Sequence, residues 1–171
     1  MRKLVAGFAV SLDGYMEGPA GEYDWIVSDP SVDFAAQIAA YDTFLYGRKT
    51  YEKMASYGAN LAAWQNYVFS RTLTEVSEGF ILVNDNIRET VTTLKEKEGK
   101  KIALYGGASL LSSLLDLQLV DEISMTIIPI LLGSGKPMVD TLRQRVSLEL
   151  TGTKTFPNGN VQLDYRVKGK K

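Results

Sequence analysis

Short, almost wholly apolar runs alternate with segments of helical periodicity along roughly two-thirds of this chain, and few architectures accept that order. LVAGFAVSL (4–12), TFLYG (43–47), NYVFS (66–70), FILVN (80–84) and KIALY (101–105) have the length and character of buried strands. Between them, Asp29-Pro30 reads as a helix start, with Asp29 as cap and Pro30 at the first helical position. Phe34, Ile38 and Tyr41 follow on one face. RKTYEKMASYG (48–58) predicts a short helix ending at Gly58, and Ile87, Val91 and Leu94 mark another that stops at Gly99. ASLLSSLLD (108–116) places Leu110, Leu111, Leu114 and Leu115 in one stripe.

The end of the chain changes character. EISMTIIPIL (122–131) is a long strand whose Pro129 suggests an edge or a bulge. VSLELTGTKTF (146–156) and NVQLDYRV (160–167) flank Pro157-Asn158-Gly159, a hairpin with the Asn-Gly turn signal. The expected fold is a single α/β domain over residues 1–171. It is a three-layer sandwich on a mostly parallel mixed sheet, closed by a C-terminal antiparallel hairpin.

Two absences narrow the chemistry. With no Cys and no His, the chain has no disulfide, thiolate nucleophile, Cys/His zinc site or imidazole base. Proton transfer must run through Asp, Glu, Lys, Tyr or water. A formal charge of −1 gives no electrostatic reason to expect nucleic acid or an anionic membrane as partner. Lys168, Lys170 and Lys171 read as a solvated tail. The apolar run after Met1-Arg2-Lys3 is too short to span a bilayer and lacks a cleavage region, so a cytoplasmic location is expected.

Glycines mark two of the strand-to-helix junctions. Gly106-Gly107 precedes the 108–116 helix, and Gly47 precedes the 48–58 helix. A helix start presents unpaired N–H groups and the positive end of its dipole. Glycine lets an anion approach that backbone, although glycine at such turns also serves packing alone. Arg48 and Lys49 add positive charge at one junction, and two anion sites on neighbouring strand ends suit the pyrophosphate of a dinucleotide. Neither junction is the G-x-G-x-x-G fingerprint. LGSGKPM (132–138) lacks the first glycine and the Ser/Thr of a P-loop and reads as a turn. In FSRT (69–72), Ser70 and Arg71 stand where a strand ends; a hydroxyl beside a guanidinium suits the 2′-phosphate of NADPH. DGYMEGPAGEYDW (13–25) is punctuated by Gly14, Gly18, Pro19 and Gly21 and predicts a loop without regular structure, of the kind that serves as a lid.

Taken in order, SLDGYMEG (11–18), FLYGRKTYE (44–52), VFSRT (68–72), LYGGASLLSSLL (104–115) and LVDEISMTIIPILLGSGKP (119–137) resemble the dihydrofolate reductase-like superfamily. The similarity is greater to the reductase domain of the bifunctional riboflavin-biosynthesis deaminase–reductase (the RibD C-terminal domain) than to dihydrofolate reductase itself. The resemblance implies an eight-stranded mixed sheet binding NADPH across the ends of its parallel strands, and a Gly-Gly bond that in that family is often cis. It implies that Gly47, Arg48, Lys49 and Thr50 face the pyrophosphate and nearby ribose, and that Ser70 and Arg71 hold the 2′-phosphate end. Gly106, Gly107, Ala108 and Ser109 would line the central phosphates and the nicotinamide side.

On the substrate side, the resemblance places Asp13, Gly14, Tyr15 and Trp25 of the lid nearest the reacting ring. Asp33 is the nearest counterpart of the carboxylate that dihydrofolate reductases carry on the first helix. Asp13 and Asp33 are thus the candidate catalytic acids. The implied activity is hydride transfer to a small heterocyclic or sugar-linked substrate, as in 5-amino-6-(5-phosphoribosylamino)uracil reduction. The alternatives are a genuine dihydrofolate reductase and a nucleotide- or antifolate-binding module without turnover. The apolar ISMTIIPILL (123–132), together with the resemblance, suggests a homodimer built through that region.

Overall fold

The computed structural model describes residues 1–56 and 63–169. In chain order its strands are β1 (Leu4–Ser11), β2 (Tyr15–Glu17), β3 (Tyr41–Gly47), β4 (Gln65–Phe69) and β5 (Phe80–Val83), followed by β6 (Lys101–Leu104), β7 (Glu122–Ile128), β8 (Lys136–Pro137), β9 (Leu148–Thr155) and β10 (Val161–Val167). Its helices are α1 (Phe34–Ile38), α2 (Arg48–Ser56), α3 (Ile87–Glu96) and α4 (Ala108–Asp116). One sheet has eight strands in the order β5-β4-β3-β6-β1-β7-β10-β9, and β2 with β8 forms a separate ribbon. From β5 through β7 every pairing is parallel; β10 and β9 are antiparallel to their neighbours. The expected α/β architecture with its antiparallel closing hairpin is the one observed.

Period-two alternation divides the core between the two faces of the sheet. Leu45 belongs to the cluster under α3 and α4, with Leu4, Ala6, Val91, Leu94, Ile102, Leu104 and the four α4 leucines. Its neighbours Phe44 and Tyr46 point the other way, into a second cluster with Tyr51, Val68 and Ala103. Fully burying one such leucine contributes about 1.5–3 kcal/mol. The leucine stripe read from 108–116 is therefore the element that fixes α4 on the sheet.

The structure corrects several expectations. Helix α1 begins at Phe34, not after Asp29. Asp29 instead closes a turn, accepting from the Ser31 amide at 2.9 Å and hydroxyl at 2.6 Å, and from the Asn158 amide at 3.1 Å. The stripe Phe34, Ile38, Tyr41 is not a core face: Phe34 is 51% exposed and Tyr41 already belongs to β3. Loop 13–25 contains a strand, β2, and LGSGKPM supplies its partner β8. Pro129 marks neither an edge nor a bulge; it follows the last residue of β7, which lies inside the sheet between β1 and β10. Apolar residues 123–128 are thus explained by pairing on both sides rather than by an exposed edge. The expected helix end at Gly58 lies outside the described residues.

The rim at the amino ends of the parallel strands is tied by charge. Lys95, 8% exposed, bonds Asp121 at 2.7 Å, and Asp121 also accepts from the Leu4 amide at 2.8 Å. Arg2 pairs with Asp42 and donates to Thr43 Oγ1.

With neither His nor Cys, no side chain titrates ordinarily between about pH 5 and pH 8. Hydrogen bonds from Ser31 first, then the Asn158 amide, hold Asp29 below the usual aspartate range. Asp42 is lowered too: its burial acts the other way and is outweighed by the Lys100 amide, Thr43 and Arg2. A folded-state value depressed in this way contributes stability above the unfolded value that is lost as pH falls through the folded one. Thermal melts should therefore show a midpoint flat from about pH 5 to pH 8 and falling below about pH 4. A sloping midpoint across neutrality would contradict this charge distribution.

Candidate functional site

The carboxyl ends of the parallel strands open into a cleft of about 490 Å³, inside the usual range for ligand sites. Its walls include Gly47, Arg48, Lys49, Thr50, Ser70, Arg71, Gly107 and Ser109. Of the residues assigned to coenzyme from the sequence, Gly106 and the fully buried Ala108 stand behind this wall. The two glycine bends meet: the Gly47 amide donates to the Gly106 carbonyl at 2.7 Å. A Cβ on Gly47 would lie 3.4 Å from the Gly107 nitrogen and 3.5 Å from the Gly106 oxygen. Neighbouring strands β3 and β6 thus turn into α2 and α4 side by side, leaving backbone where side chains would otherwise stand. The Gly106–Gly107 peptide is cis, with Gly106 at φ 120°. The N-cap of α4 is Gly107, which has no side chain to cap the helix, and a helix start of this kind suits an outside acceptor.

Charge in the cleft is mostly positive. Arg48 is engaged with Glu52 at 3.3 Å and Lys53 with Glu17 at 3.5 Å. Lys49, Arg71 and Lys136 line the cleft without an ion pair among the described residues. Ser70, 9% exposed, shapes the turn after β4 by accepting from the Thr72 and Leu73 amides at 3.2 and 3.1 Å. Both amides use its lone pairs, so in its 3.4 Å contact with Thr72 Oγ1 the Ser70 hydroxyl is the donor. Asn84 fastens the same turn by donating to the Ser70 and Leu73 carbonyls. A second groove of about 480 Å³ runs along α3, but Asp85 and Glu89 line it against Lys97, which does not suit a polyanion.

The residues expected over the reacting ring are arranged differently. Asp13, Gly14, Tyr15 and Trp25 do not line this cleft. Asp13 accepts from Ser11 Oγ at 2.6 Å and from the Leu132 and Gly133 amides at 3.2 and 2.7 Å. The Ser11 hydroxyl, followed by those amides, lowers its pKa, so it stands ionised at neutral pH and fastens loop 13–25 to loop 130–138. Gly14 continues the join, its carbonyl accepting from the Met138 amide, and Tyr15 pairs with Pro137. Gly135 has φ 146°, and a Cβ there would fall 2.2 Å from the Glu17 oxygen, so only glycine lets the two loops come this close. Trp25 donates to Glu22 within its own loop. Asp33 caps α1, accepting from the Ala36 amide at 2.9 Å, and is exposed.

Three charged cleft residues were not read from the sequence: Glu17, Lys53 and Lys136. Lys136 arrives through the β2–β8 ribbon, a long-range pairing with no local signature, and Lys53 sits one turn beyond the helix start that drew attention.

The model of the RibD C-terminal domain matches residues 2–162. The chain belongs to this family. Among relatives of this RibD C-terminal domain, the uncharacterized protein YyaP of Bacillus subtilis (strain 168) is 40% identical over 181 aligned residues, covering 98% of this chain and 96% of YyaP. A crystal structure from Shewanella sp. PV-4, whose own description provisionally assigns it to riboflavin biosynthesis, superposes with a TM-score of 0.86 at 28% identity, covering 98% and 99% of the two chains. Dihydrofolate reductase from Enterococcus faecalis, solved in complex with NADP(H), gives a TM-score of 0.74 at 16% identity over 98% of this chain and 97% of that one, which shows the shared fold.

Proposed function

We propose that this RibD C-terminal domain is an NADPH-dependent reductase acting on a small heterocyclic or sugar-linked substrate. The observation that carries the reading is the meeting of two bare-backbone bends, at Gly47 and Gly106–Gly107, in one cleft where Lys49, Arg71 and Lys136 have no ion pair among the described residues. The residues present fit a dinucleotide: the helix starts at Gly47 and Gly107 with Lys49 for the pyrophosphate, and Ser70 with Arg71 for a 2′-phosphate. When bound, NADPH would supply a hydride to a C=N or C=O carbon of the substrate.

The protein's own contribution is placement. Backbone at Gly107 and the Thr50 hydroxyl would hold the coenzyme's phosphates, and the Ser109 hydroxyl, which donates to Asp140, can accept from a sugar hydroxyl. Tyr105, immediately before the bend, is 50% exposed and backed by the Tyr46 ring at 5.9 Å, a surface on which a flat substrate ring can stack. The nitrogen or oxygen left behind by hydride addition takes its proton from water, because Asp13 is ionised and fully engaged. A riboflavin-type pyrimidine is favoured over dihydrofolate because Asp33 is committed to capping a five-residue helix with no buried residue.

Fluorescence titration with NADPH, followed by oxidation assays against phosphoribosylaminouracil and dihydrofolate, tests the reading. Failure of both NADPH and NADH to bind in the micromolar range would remove it. Binding without oxidation in the presence of either substrate would favour a module without turnover. Arg71→Ala should weaken NADPH by about tenfold, the scale of one charge-assisted contact, and leave NADH within about twofold. Equal losses for the two coenzymes would take the 2′-phosphate away from Arg71.

A further inference from the structure

Lys136 occupies an unusual place for a lysine on a two-residue strand. Its ladder partner across the ribbon is Glu17, the nearest candidate for an ion pair. Glu17 instead turns to Lys53, at 3.5 Å, while the Lys53 ammonium also rests 4.7 Å from the Tyr23 ring centroid. Lys136 is left without a carboxylate among the described residues. Its Nζ lies 3.7 Å from the point a Cβ on Gly107 would occupy, and Thr50 Oγ1 lies 3.6 Å from the same point on the α2 side. An ammonium and a hydroxyl therefore flank one bare stretch of backbone at the start of α4.

We propose that Lys136 is a specificity-determining residue for the phosphate bridge, a cation delivered by the β2–β8 ribbon onto the pyrophosphate of a dinucleotide lying over Gly107. This rests on the coenzyme reading above and deepens it. The position of Lys136 separates its role from that of Arg71. Arg71 follows β4, whereas Lys136 stands at the α4 start, next to Thr50. A ligand must carry phosphate at the Gly107 bend to feel Lys136, whether or not it carries a 2′-phosphate. The ribbon is held from outside the cleft by Asp13 on the Leu132 and Gly133 amides and by the Gly14–Met138 bond, so the lysine is presented by a fixed backbone.

The test uses the whole chain and fluorescence-detected binding of three probes: NADPH, NADH and adenosine 2′-monophosphate. Lys136→Met should weaken NADPH and NADH by the same factor, about tenfold at low salt, because both contain the pyrophosphate. It should leave adenosine 2′-monophosphate, which carries no 5′-phosphate, within about twofold. Lys136→Arg should restore most of the loss, and a thermal melt of each variant should match the parent. Unchanged NADPH and NADH affinity in Lys136→Met, or a loss confined to NADPH, overturns the proposal while leaving the coenzyme reading intact. If the parent chain binds neither coenzyme, it is the coenzyme reading that falls.

Discussion

Gly47→Val should lower NADPH affinity by up to about a hundredfold, equivalent to about 2.7 kcal/mol. The Cβ alone would stand 3.4 Å from the Gly107 nitrogen, 3.5 Å from the Gly106 oxygen and 3.7 Å from Leu110 Cβ. Two further methyls have no room unless the strand ends separate, and relieving such overpacking costs about 1–3 kcal/mol. Separation would break the bond from the Gly47 amide to Gly106 and pull apart the two helix starts on which the site depends. Gly7→Ala is the matched control: a Cβ at that β1 position meets nothing within 4 Å, and its affinity should be unchanged. Titration by coenzyme fluorescence, with a melt of each variant, decides the matter. Full affinity in a folded Gly47→Val protein would mean that the bends do not cooperate in binding.

Asp121→Ala should cost about 3 kcal/mol of unfolding free energy, the lower end of the range for breaking a buried ion pair. The lower end applies because the Asp121 side chain is 22% accessible, against 10% for Lys95. The substitution leaves the Lys95 ammonium with only the Leu119 carbonyl at 3.0 Å, and it strips the Leu4 amide of its acceptor at the start of the central strand. Lys95→Met combined with Asp121→Leu should recover much of the loss, since an apolar pair removes the stranded charge. Urea unfolding of the single and double variants measures both. If the double variant is no more stable than Asp121→Ala, the buried charge is not the source of the cost.

Local rules read the elements whose information is local. The leucines of 108–116 gave α4 with its observed boundaries, and the apolar runs gave the parallel strands to within a residue or two except β7, which ends at Ile128, three residues short of the expected 122–131. The first helix was misplaced because Asp29-Pro30 imitates a cap. What occupies the Asp29 carboxylate includes the Asn158 amide, 129 residues away, a partner no window of sequence reveals. Pro129 misled for a related reason. A proline bars the continuation of a central strand but not its end, and here it packs beside Gly159 in the hairpin turn. The glycine wall of the cleft was legible because glycine stands out at a strand-to-helix bend. Lys136 was not, because its placement depends on β2 pairing with β8 and on Gly135 admitting the Glu17 backbone.

The six parallel strands share one direction, so the molecule has two unlike poles. Arg2, Asp42, Lys95 and Asp121 anchor one, and the bends at residues 47 and 106–107 shape the other, roughly 17 Å away along β3 from Asp42 to Gly47 at the usual rise per residue. Anchorage and chemistry are thereby insulated from each other. A scaffold wired this way can exchange side chains at one pole while the other keeps the domain upright, and a library randomised at the exposed cleft side chains, with Gly47, Gly106 and Gly107 kept, should return mostly folded proteins.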